Sequence, residues 1–329
     1  MRILVTGATG RIGKHLVREL LGAGHVVRGL VMPGDPAPVP DSVDVVRGSL
    51  SDTDALSEAV EAVEAVFHLA GALTSRGNTE VEFVESNLRG TFNLLSAVRD
   101  GTPGIQRFIY ASSDAVYFQS PYRDARYLPV DEDHPRLAGS VYGATKLGAE
   151  EMCRSFHRGF SLPATILRFG ATADANELIN PTSVFARWLF LRAAIDCIGS
   201  NPDAASKRSL EILQALDDGM DRLVVLADAN GNPEIRQWSD ARDIARGCLL
   251  ALESQNAVGE TFNLGGAEPF SAEELAAFLS ERLEIPAAKA CIPTARRPWH
   301  ISSEKAKRNI GYTPQYSVYE MVEDAIQGR

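Results

Sequence analysis

The sequence has few cysteines, no long apolar run and no excess of positive charge, and each absence excludes a class of protein. Its four cysteines are widely scattered, and no Cys-x-x-Cys or Cys/His spacing indicates a metal site. No apolar run approaches the roughly 20 residues of a membrane span, and the opening residues are not typical of a signal peptide. The formal net charge of −10 disfavours nucleic acid or an anionic membrane as a partner. We therefore expect a cytoplasmic protein without a metal.

Short apolar runs alternate with amphipathic segments through the first half of the chain. The strands that this pattern predicts cover residues 2–6, 25–31, 43–48, 65–71, 106–113 and 163–169. Apolar strands that alternate with helices favour a parallel sheet covered on both faces. We predict an α/β fold in which residues 1–169 form a Rossmann-type, doubly wound domain.

The second half of the chain is less regular. Helices are predicted for residues 181–195, 203–219, 240–254 and 271–283, and strands for residues 221–228 and 259–266. We interpret residues 170–329 as a smaller C-terminal α/β domain that binds the substrate. A return of residues near 223–254 to the first domain stays open.

A glycine-rich turn joins the first predicted strand to the first helix. The segment VTGATGRIG places Gly7, Gly10 and Gly13 in this turn, together with Arg11 and Ile12. Without side chains the backbone approaches a pyrophosphate closely, and the N–H groups and dipole at the start of a helix favour its charge. We predict that these five residues bind a dinucleotide.

The residues after the second strand leave the choice of dinucleotide open. NAD-binding proteins usually carry an acidic residue there, whereas an arginine often accommodates the extra phosphate of NADP. This chain has Val31 and Met32, with Asp35 a little beyond. Asp35 and the small number of lysines favour NAD, and NADP stays an alternative.

Tyr142 and Lys146 lie four positions apart at the start of a predicted helix, in the segment VYGATKLGAE. One helical turn apart, the two side chains share a face. One interpretation is a packed ring beside a solvated ammonium. The other is a phenol that exchanges its proton during catalysis, with its pKa lowered from about 10 by the ammonium and by a cationic nicotinamide ring.

The order of these features favours the second interpretation. A glycine turn, a strand that ends in YASSDAVY and a Tyr-x-x-x-Lys pair on the next helix resemble the extended short-chain dehydrogenase/reductase family. This family includes the NAD(P)-dependent epimerases and dehydratases of sugar nucleotides. Further segments similar to family motifs, which extend the resemblance over nearly the whole chain, are HLAG (68–71), ESNLRGTFNLLSA (85–97), GETFNLGG (259–266) and NIGYTPQYSVYEMV (309–322).

The resemblance implies roles for particular residues. Ser113, Tyr142 and Lys146 match the catalytic positions, and Asn87 matches the structural asparagine. Ser113 would hydrogen-bond the substrate oxygen while Tyr142 exchanges a proton with it, as hydride moves to or from the nicotinamide. Besides the glycine turn and the Tyr142–Lys146 pair, the implied cofactor-binding residues are Ser49, Leu50, Leu69, Ala70, Gly71 and Phe169.

The substrate half resembles the family less closely. Arg236 and Arg297 fall where arginines contact the diphosphate of a nucleotide sugar, and a surface salt bridge is the alternative for each. Asp114 is expected to contact the substrate. The family's Asn-x-x-Gly-Pro segment is replaced by ATADAN (171–176), and residues from about 196 to 222 resemble an insertion.

Three functions are consistent with this resemblance. The first is epimerisation of a sugar or sugar nucleotide, by transient oxidation of a secondary alcohol and return of the hydride to the other face. The second is net oxidation or reduction of a polyol, sugar acid or other hydroxy or keto compound. A dinucleotide-sensing protein without catalysis ranks last, because such proteins typically lack the Tyr/Lys pair. The resemblance also implies a homodimer, paired through helices near 80–99 and 140–158.

Overall fold

A parallel sheet of seven strands lies at the centre of the computed structural model, which describes residues 1–73, 77–117, 124–200 and 203–328. The strands in chain order are β1 (Arg2–Thr6), β2 (Val26–Val31), β3 (Asp44–Arg47), β4 (Ala65–His68), β5 (Arg107–Ser113), β6 (Ala164–Phe169), β7 (Thr172–Ala173), β8 (Leu223–Ala227), β9 (Ile235–Arg236), β10 (Ser239–Asp240), β11 (Thr261–Leu264), β12 (Phe270–Ser271) and β13 (Ala287–Cys291). The α-helices are α1 (Gly13–Gly22), α2 (Thr53–Val60), α3 (Glu80–Phe83), α4 (Gly90–Gly101), α5 (Val141–Phe160), α6 (Leu191–Gly199), α7 (Ala204–Gln214), α8 (Ala241–Glu253), α9 (Ala272–Leu283), α10 (Glu304–Ile310) and α11 (Val318–Ile326).

The central sheet has the strand order β11-β6-β5-β4-β1-β2-β3, and every neighbouring pair is parallel. The chain moves outward from β1 through β2 and β3, then returns to the other side of β1 at β4. In open α/β sheets ligands bind in the crevice at the carboxyl ends of the strands, where the order reverses in this way. The predicted Rossmann-type fold is confirmed.

Alternate side chains of β1 enter two separate cores. Ile3 and Val5 pack with α1 and α8 on one face of the sheet, whereas Leu4 packs with α2, α4 and α5 on the other. All three side chains are fully buried. Burial on both faces explains why the central strands are apolar throughout rather than alternating.

The remaining strands form two-stranded sheets, with β8 pairing with β13, β9 with β12 and β7 with β10. β8 therefore does not return to the first sheet, as a return of residues 223–254 would require. The return begins instead at α8, which packs on the central sheet, and continues into β11, which forms its edge. No helix within the described ranges combines the length and the hydropathy needed to cross a membrane.

Two of the predicted helices differ from the structure. The segment 80–99 contains a π-helical turn, Val84–Arg89, between α3 and α4. The segment 181–195 begins with a 3₁₀ turn, Ala186–Trp188, and becomes α-helical only at Leu191. The α-helix begins late because the backbone of Phe190 is extended and forms a β-bridge with Leu223 in β8.

Candidate active site

One cleft of about 1210 Å³ opens at the carboxyl ends of β1, β4, β5 and β6. All of the predicted site residues except Asn87 line it, namely Gly7, Gly10, Arg11, Ile12, Gly13, Ser49, Leu50, Leu69, Ala70, Gly71, Ser113, Asp114, Tyr142, Lys146, Phe169, Arg236 and Arg297. Residues from nearly the whole length of the chain, from Gly7 to Arg297, thus share one space that contains both the glycine turn and the arginines.

The glycine turn keeps its end of the cleft free of side chains. A methyl group at Gly13 would lie 2.0 Å from the carbonyl oxygen of Gly7, and one at Gly7 would lie 2.9 Å from the amide nitrogen of Ala70. Gly7 also has a φ of +72°, a backbone conformation that favours glycine. These close approaches leave backbone as the surface that a pyrophosphate meets, so the turn fits the predicted dinucleotide.

Asp35 is held beside the glycine turn by two hydrogen bonds. Thr9 donates its hydroxyl to one carboxylate oxygen at 2.7 Å, and the N–H of Ala37 donates to the other at 2.9 Å. Sequence reasoning missed Thr9, whose place inside the turn was the only signal. A carboxylate at this position suits ribose hydroxyls and repels the additional phosphate of NADP.

Tyr142 is brought to Ser113 by the way in which α5 begins. Ser140 caps the helix by accepting a hydrogen bond from the N–H of Gly143 at 3.1 Å. A methyl group at Gly143 would lie 2.2 Å from the carbonyl oxygen of Ala115, so the helix packs directly on the segment that follows β5. As a result, Ser113 and Tyr142 both line the wall of the cleft, and the serine hydroxyl lowers the pKa of the phenol.

Burial dominates the acidity of Tyr142 in this structure. Burial, with a smaller contribution from the charge of Asp114, raises the pKa of the phenol to about 12, although the Ser113 hydroxyl lowers it. The ammonium group of Lys146 donates to the carbonyl oxygen of Ala111 in β5 at 2.9 Å. Burial also lowers the pKa of Lys146, to about 8. The predicted lowering of the phenol's pKa by Lys146 together with a cationic nicotinamide ring concerns the protein with its cofactor bound and stays a prediction.

Asn87 supports the site from behind rather than lining the cleft. It lies in the π-helical turn, where its Oδ1 accepts from the N–H of Ala72 at 2.7 Å and its Nδ2 donates to the carbonyl oxygen of the same residue at 3.1 Å. A methyl group at Gly71 would lie 2.7 Å from Oδ1 of Asn87 and 3.5 Å from the Lys146 nitrogen. The π-turn thus fixes the loop after β4 next to Lys146.

A buried ion pair that the sequence did not reveal lies on α5, one turn beyond Lys146. Glu150, on α5, accepts two hydrogen bonds of 2.8 Å from Arg168 in β6, and a third of 2.7 Å from Ser112 in β5. The remaining arm of Arg168 donates to the hydroxyl of Tyr117 at 2.7 Å. The pair joins α5 to two central strands, and the hydroxyl of Ser112 reinforces this connection.

The two predicted arginines are each accompanied by a carboxylate. Arg236 is buried and donates its Nε to Glu234 at 2.8 Å and its Nη1 to the carbonyl oxygen of Trp188 at 3.2 Å. Arg297 is exposed and lies 3.7 Å from Asp124. Arg236 is therefore not the surface salt bridge that was its alternative, whereas Arg297 does form one.

Asp114, the third predicted substrate residue, is anchored from the other half of the chain. The indole N–H of Trp299 donates to its carboxylate at 2.9 Å. Its other oxygen lies 3.3 Å from the hydroxyl of Ser113. Trp299 thus couples the substrate half to the serine that touches Tyr142.

The segment 171–176 and its continuation hold the first helix by charge. Glu177 accepts from Arg11 through two bonds of 2.5 and 2.6 Å, and Asp174 lies 2.7 Å from both Lys14 and His15. We call these contacts, between residues about 160 apart, the acid clasp. The side chain of Arg11, predicted to bind the cofactor, is engaged by this clasp.

Comparison with known proteins agrees with this geometry. Residues 3–189 match the model of the NAD dependent epimerase/dehydratase family. The chain is 27% identical to the UDP-glucose 4-epimerase of Corynebacterium glutamicum over 99% of this chain and 94% of that protein. It is 28% identical to the 4-hydroxy-2-methyl-3-oxo-4-farnesyl-3,4-dihydroquinoline-1-oxide ketoreductase of Stigmatella aurantiaca, over 95% and 92% of the two chains.

A solved structure also resembles the whole chain. It is a short-chain dehydrogenase/reductase superfamily protein from Agrobacterium tumefaciens with bound NAD, 34% identical, with a TM-score of 0.89 and coverage of 99% of this chain and 96% of that one. The family match confirms NAD as the predicted cofactor and hydride chemistry as the class of reaction. This chain belongs to the NAD dependent epimerase/dehydratase family and is an extended short-chain dehydrogenase/reductase enzyme.

Proposed function

We propose that the protein is an epimerase that inverts a secondary alcohol of a sugar nucleotide, with NAD as its cofactor. The observation that carries this proposal is the placement of Ser113, Tyr142 and Lys146 in the cleft that also contains the glycine turn. The similar protein of C. glutamicum is a UDP-glucose 4-epimerase, and this supports a nucleotide sugar as the substrate.

Ser113 and Tyr142 each have a proposed task at the substrate hydroxyl. Ser113 orients the oxygen by a hydrogen bond, and Tyr142 removes the proton and returns it after the sugar has turned. NAD, held by Gly7, Gly10, Gly13 and Asp35, supplies the hydride acceptor and a positive ring that favours the phenolate. Lys146, held by β5, keeps its side chain beside the same space.

Nuclear magnetic resonance of incubations with UDP-glucose, UDP-galactose or UDP-glucuronate tests this proposal. We expect inversion at one carbon, without net change in absorbance at 340 nm. Tyr142→Phe should lower kcat by about 10²–10⁴-fold while bound NAD is retained, since only proton transfer is removed. Tyr319→Phe is the matched control. A Tyr142→Phe enzyme as active as the wild type would refute the proposed role of the phenol.

Net oxidation or reduction of a keto compound is the second candidate. The ketoreductase of S. aurantiaca matches nearly the whole chain, and residues 171–176 replace a segment that contacts the nucleotide sugar in the resembled family. The same incubations distinguish the two functions. A lasting change at 340 nm with a hydroxy or keto substrate, and no inverted sugar, would favour this candidate.

We propose a homodimer that pairs α4 and α5 of two copies. Support comes from apolar side chains left exposed on these helices, since Phe92 is 48% and Phe160 55% accessible. Light scattering after gel filtration should give twice the chain mass, and Phe92→Glu should give the monomer mass. A cytoplasmic location stays a prediction, supported by four unpaired cysteines.

A further inference from the structure

The substrate end of the cleft contains more positive charge than the predicted pair of arginines supplies. The guanidinium carbons of Arg187, Arg236 and Arg296 lie 4.1, 5.6 and 5.2 Å from the centre of the Trp188 ring. Neither Arg187 nor Arg296 was predicted from the sequence. We call these four side chains the arginine cluster.

The charge of the cluster is only partly balanced. Glu234 is 3% exposed and hydrogen-bonds the side chain of Arg236 through one carboxylate oxygen. Its other oxygen accepts from the backbone N–H of Arg296 at 2.6 Å. Across the residues that the structure describes, the side chains of Arg187 and Arg296 form no ion pair with any carboxylate. One carboxylate thus faces three guanidinium groups.

The positive charge of Arg187 is poorly stabilised by its surroundings. Its Nε is buried and has no hydrogen-bond partner among the described residues. Burial lowers the pKa of Arg187, and so do the charges of Arg296 and Arg236. A cation that is desolvated beside other cations gains free energy when an anion arrives.

The insertion near residues 196–222 closes this end of the cleft. Cys197 and Ile198 of α6 and Ser206 of α7 line the cleft, as does the side chain of Arg187. Thr294 donates to Ser209 of α7 at 2.9 Å, which joins the insertion to the segment after β13. The two helices therefore enclose the part of the cleft that contains Arg187 and Trp188.

We propose that Arg187 and Arg296, rather than the motif pair Arg236 and Arg297, bind the two negative charges of the substrate's diphosphate in a subsite closed by α6 and α7. Two guanidiniums without carboxylate partners match two negative charges, which a diphosphate carries and a single carboxylate does not. Arg236 has a structural task instead, because Glu234 holds it in place. This assignment rests on the proposed function for the rest of the substrate, but the subsite itself follows from the unpaired charges.

Calorimetric titration of the purified enzyme with its bound NAD tests the subsite without turnover. The probes are UDP, glucose 1-phosphate, uridine and glucuronate, which separate a nucleoside diphosphate from a sugar phosphate, a neutral nucleoside and a carboxylate. We expect Arg187→Ala and Arg296→Ala each to weaken binding of UDP at least about tenfold. Uridine affinity should stay unchanged, and Arg187→Lys should recover part of the loss.

Arg192→Ala is the matched control, since Arg192 is an exposed arginine on α6 that pairs with Asp221 at 3.2 Å. It should bind UDP as the wild type does. Arg296 is exposed, so its variant keeps the test valid even if Arg187→Ala folds poorly. Undiminished UDP binding by both cleft variants, or an equal loss in Arg192→Ala, would overturn the proposal.

Steady-state kinetics separate failure of the subsite from failure of the proposed function. We expect the Arg187 and Arg296 variants to raise KM for the sugar nucleotide with little change in kcat, because they bind a part of the substrate that does not react. Epimerisation by both variants at the wild-type KM would refute the proposed subsite and leave the proposed function intact. Binding of glucose 1-phosphate that depends on Arg187, without epimerisation of any UDP-sugar, would support the subsite and refute the proposed function.

Discussion

The two ends of the cleft are built from different parts of the chain. The cofactor end is made of backbone, where Gly7 and Gly13 bring chain segments within van der Waals contact and leave no side chain in the way. The substrate end is made of charged side chains, which meet in the arginine cluster, and the acid clasp joins the substrate half to the glycine turn by charge as well. Backbone contacts of this kind follow from local geometry, whereas charge pairing depends on partners from distant segments. The comparison explains why one end resembles its family closely and the other does not.

Glu150→Gln should have the largest effect on stability. Glu150 and Arg168 form an ion pair that is buried, whereas the charges at the substrate end have access to solvent. Loss of the carboxylate leaves Arg168 unbalanced in the core, so we expect the free energy of unfolding to fall by about 3–5 kcal/mol. Urea unfolding measures this loss. Glu151→Gln, one residue further along α5 and exposed, should cost less than about 1 kcal/mol. An equal loss of unfolding free energy in the Glu150 and Glu151 variants would show that burial does not set the contribution of these two carboxylates.

Lys146→Met should change how stability depends on pH. The pKa of Lys146 is lowered to about 8 in the folded protein, so below pH 8 both states are charged and the fold bears the full cost of burial. As pH rises from about 8 toward the unfolded value near 10.5, the folded state loses its proton first and the wild type gains stability relative to the variant.

The expected change in the stability difference is about 3 kcal/mol over that interval. Urea unfolding of both proteins at intervals from pH 7 to 10.5 measures it, since ionisations elsewhere cancel in the comparison. A difference that stays constant with pH would show that the ammonium is not desolvated at the cofactor end.

Gly13→Ala tests the backbone end directly. The added methyl group lies 2.0 Å from the Gly7 carbonyl oxygen, so the turn has to shift and NAD affinity should fall by about 1–3 kcal/mol. Titration of the cofactor-free protein with NAD measures the loss. Gly22→Ala is the control, since it lies in the same helix and its added methyl group meets no atom within 4 Å. Unaltered NAD affinity in Gly13→Ala would mean that NAD binding does not depend on the close approach of Gly13 to the Gly7 carbonyl.

Glu177→Gln tests the charged end and should have the smallest effect. The Arg11–Glu177 pair is about one-fifth to one-quarter exposed, so its loss should cost about 0.5–1 kcal/mol of unfolding free energy. The cost should shrink in high salt, which screens such pairs. Glu268→Gln, at an exposed loop position, should cost nothing measurable. A salt-independent loss would assign Glu177 a packing role instead.

The residues predicted from sequence are those whose task is set by their immediate neighbours. Gly7, Gly10 and Gly13 follow a strand and open a helix, so their spacing was sufficient to find them, whereas the spacing of Tyr142 and Lys146 left two interpretations open until the order of the motifs was compared with the family. The burial of Tyr142 is not contained in this spacing. Burial, which depends on the packing of α5 against the segment after β5, raises its pKa more than the Ser113 hydroxyl lowers it.

Residues missed by sequence reasoning all have partners far along the chain. Arg187 lies near Arg236 and Arg296 only after the second half has folded. Glu150 lies on α5 and its partner Arg168 on β6, so the pair forms only when the helix packs on the sheet. Thr9 is close to the glycine turn in sequence, yet its partner Asp35 comes from the loop after β2.

By itself, the order of apolar strands and glycines determined the Rossmann-type sheet and the dinucleotide site, and the Tyr-x-x-x-Lys pair in that order carried the family resemblance that implied the class of chemistry. The sheet and the glycine turn are consequences of backbone conformation and periodicity, which neighbouring residues dictate. Only the tertiary structure decided which charges are paired, which are desolvated and which arginines remain available for an anion. Electrostatic free energy depends on distance and burial in three dimensions, and neither quantity is written in the spacing of residues along the chain.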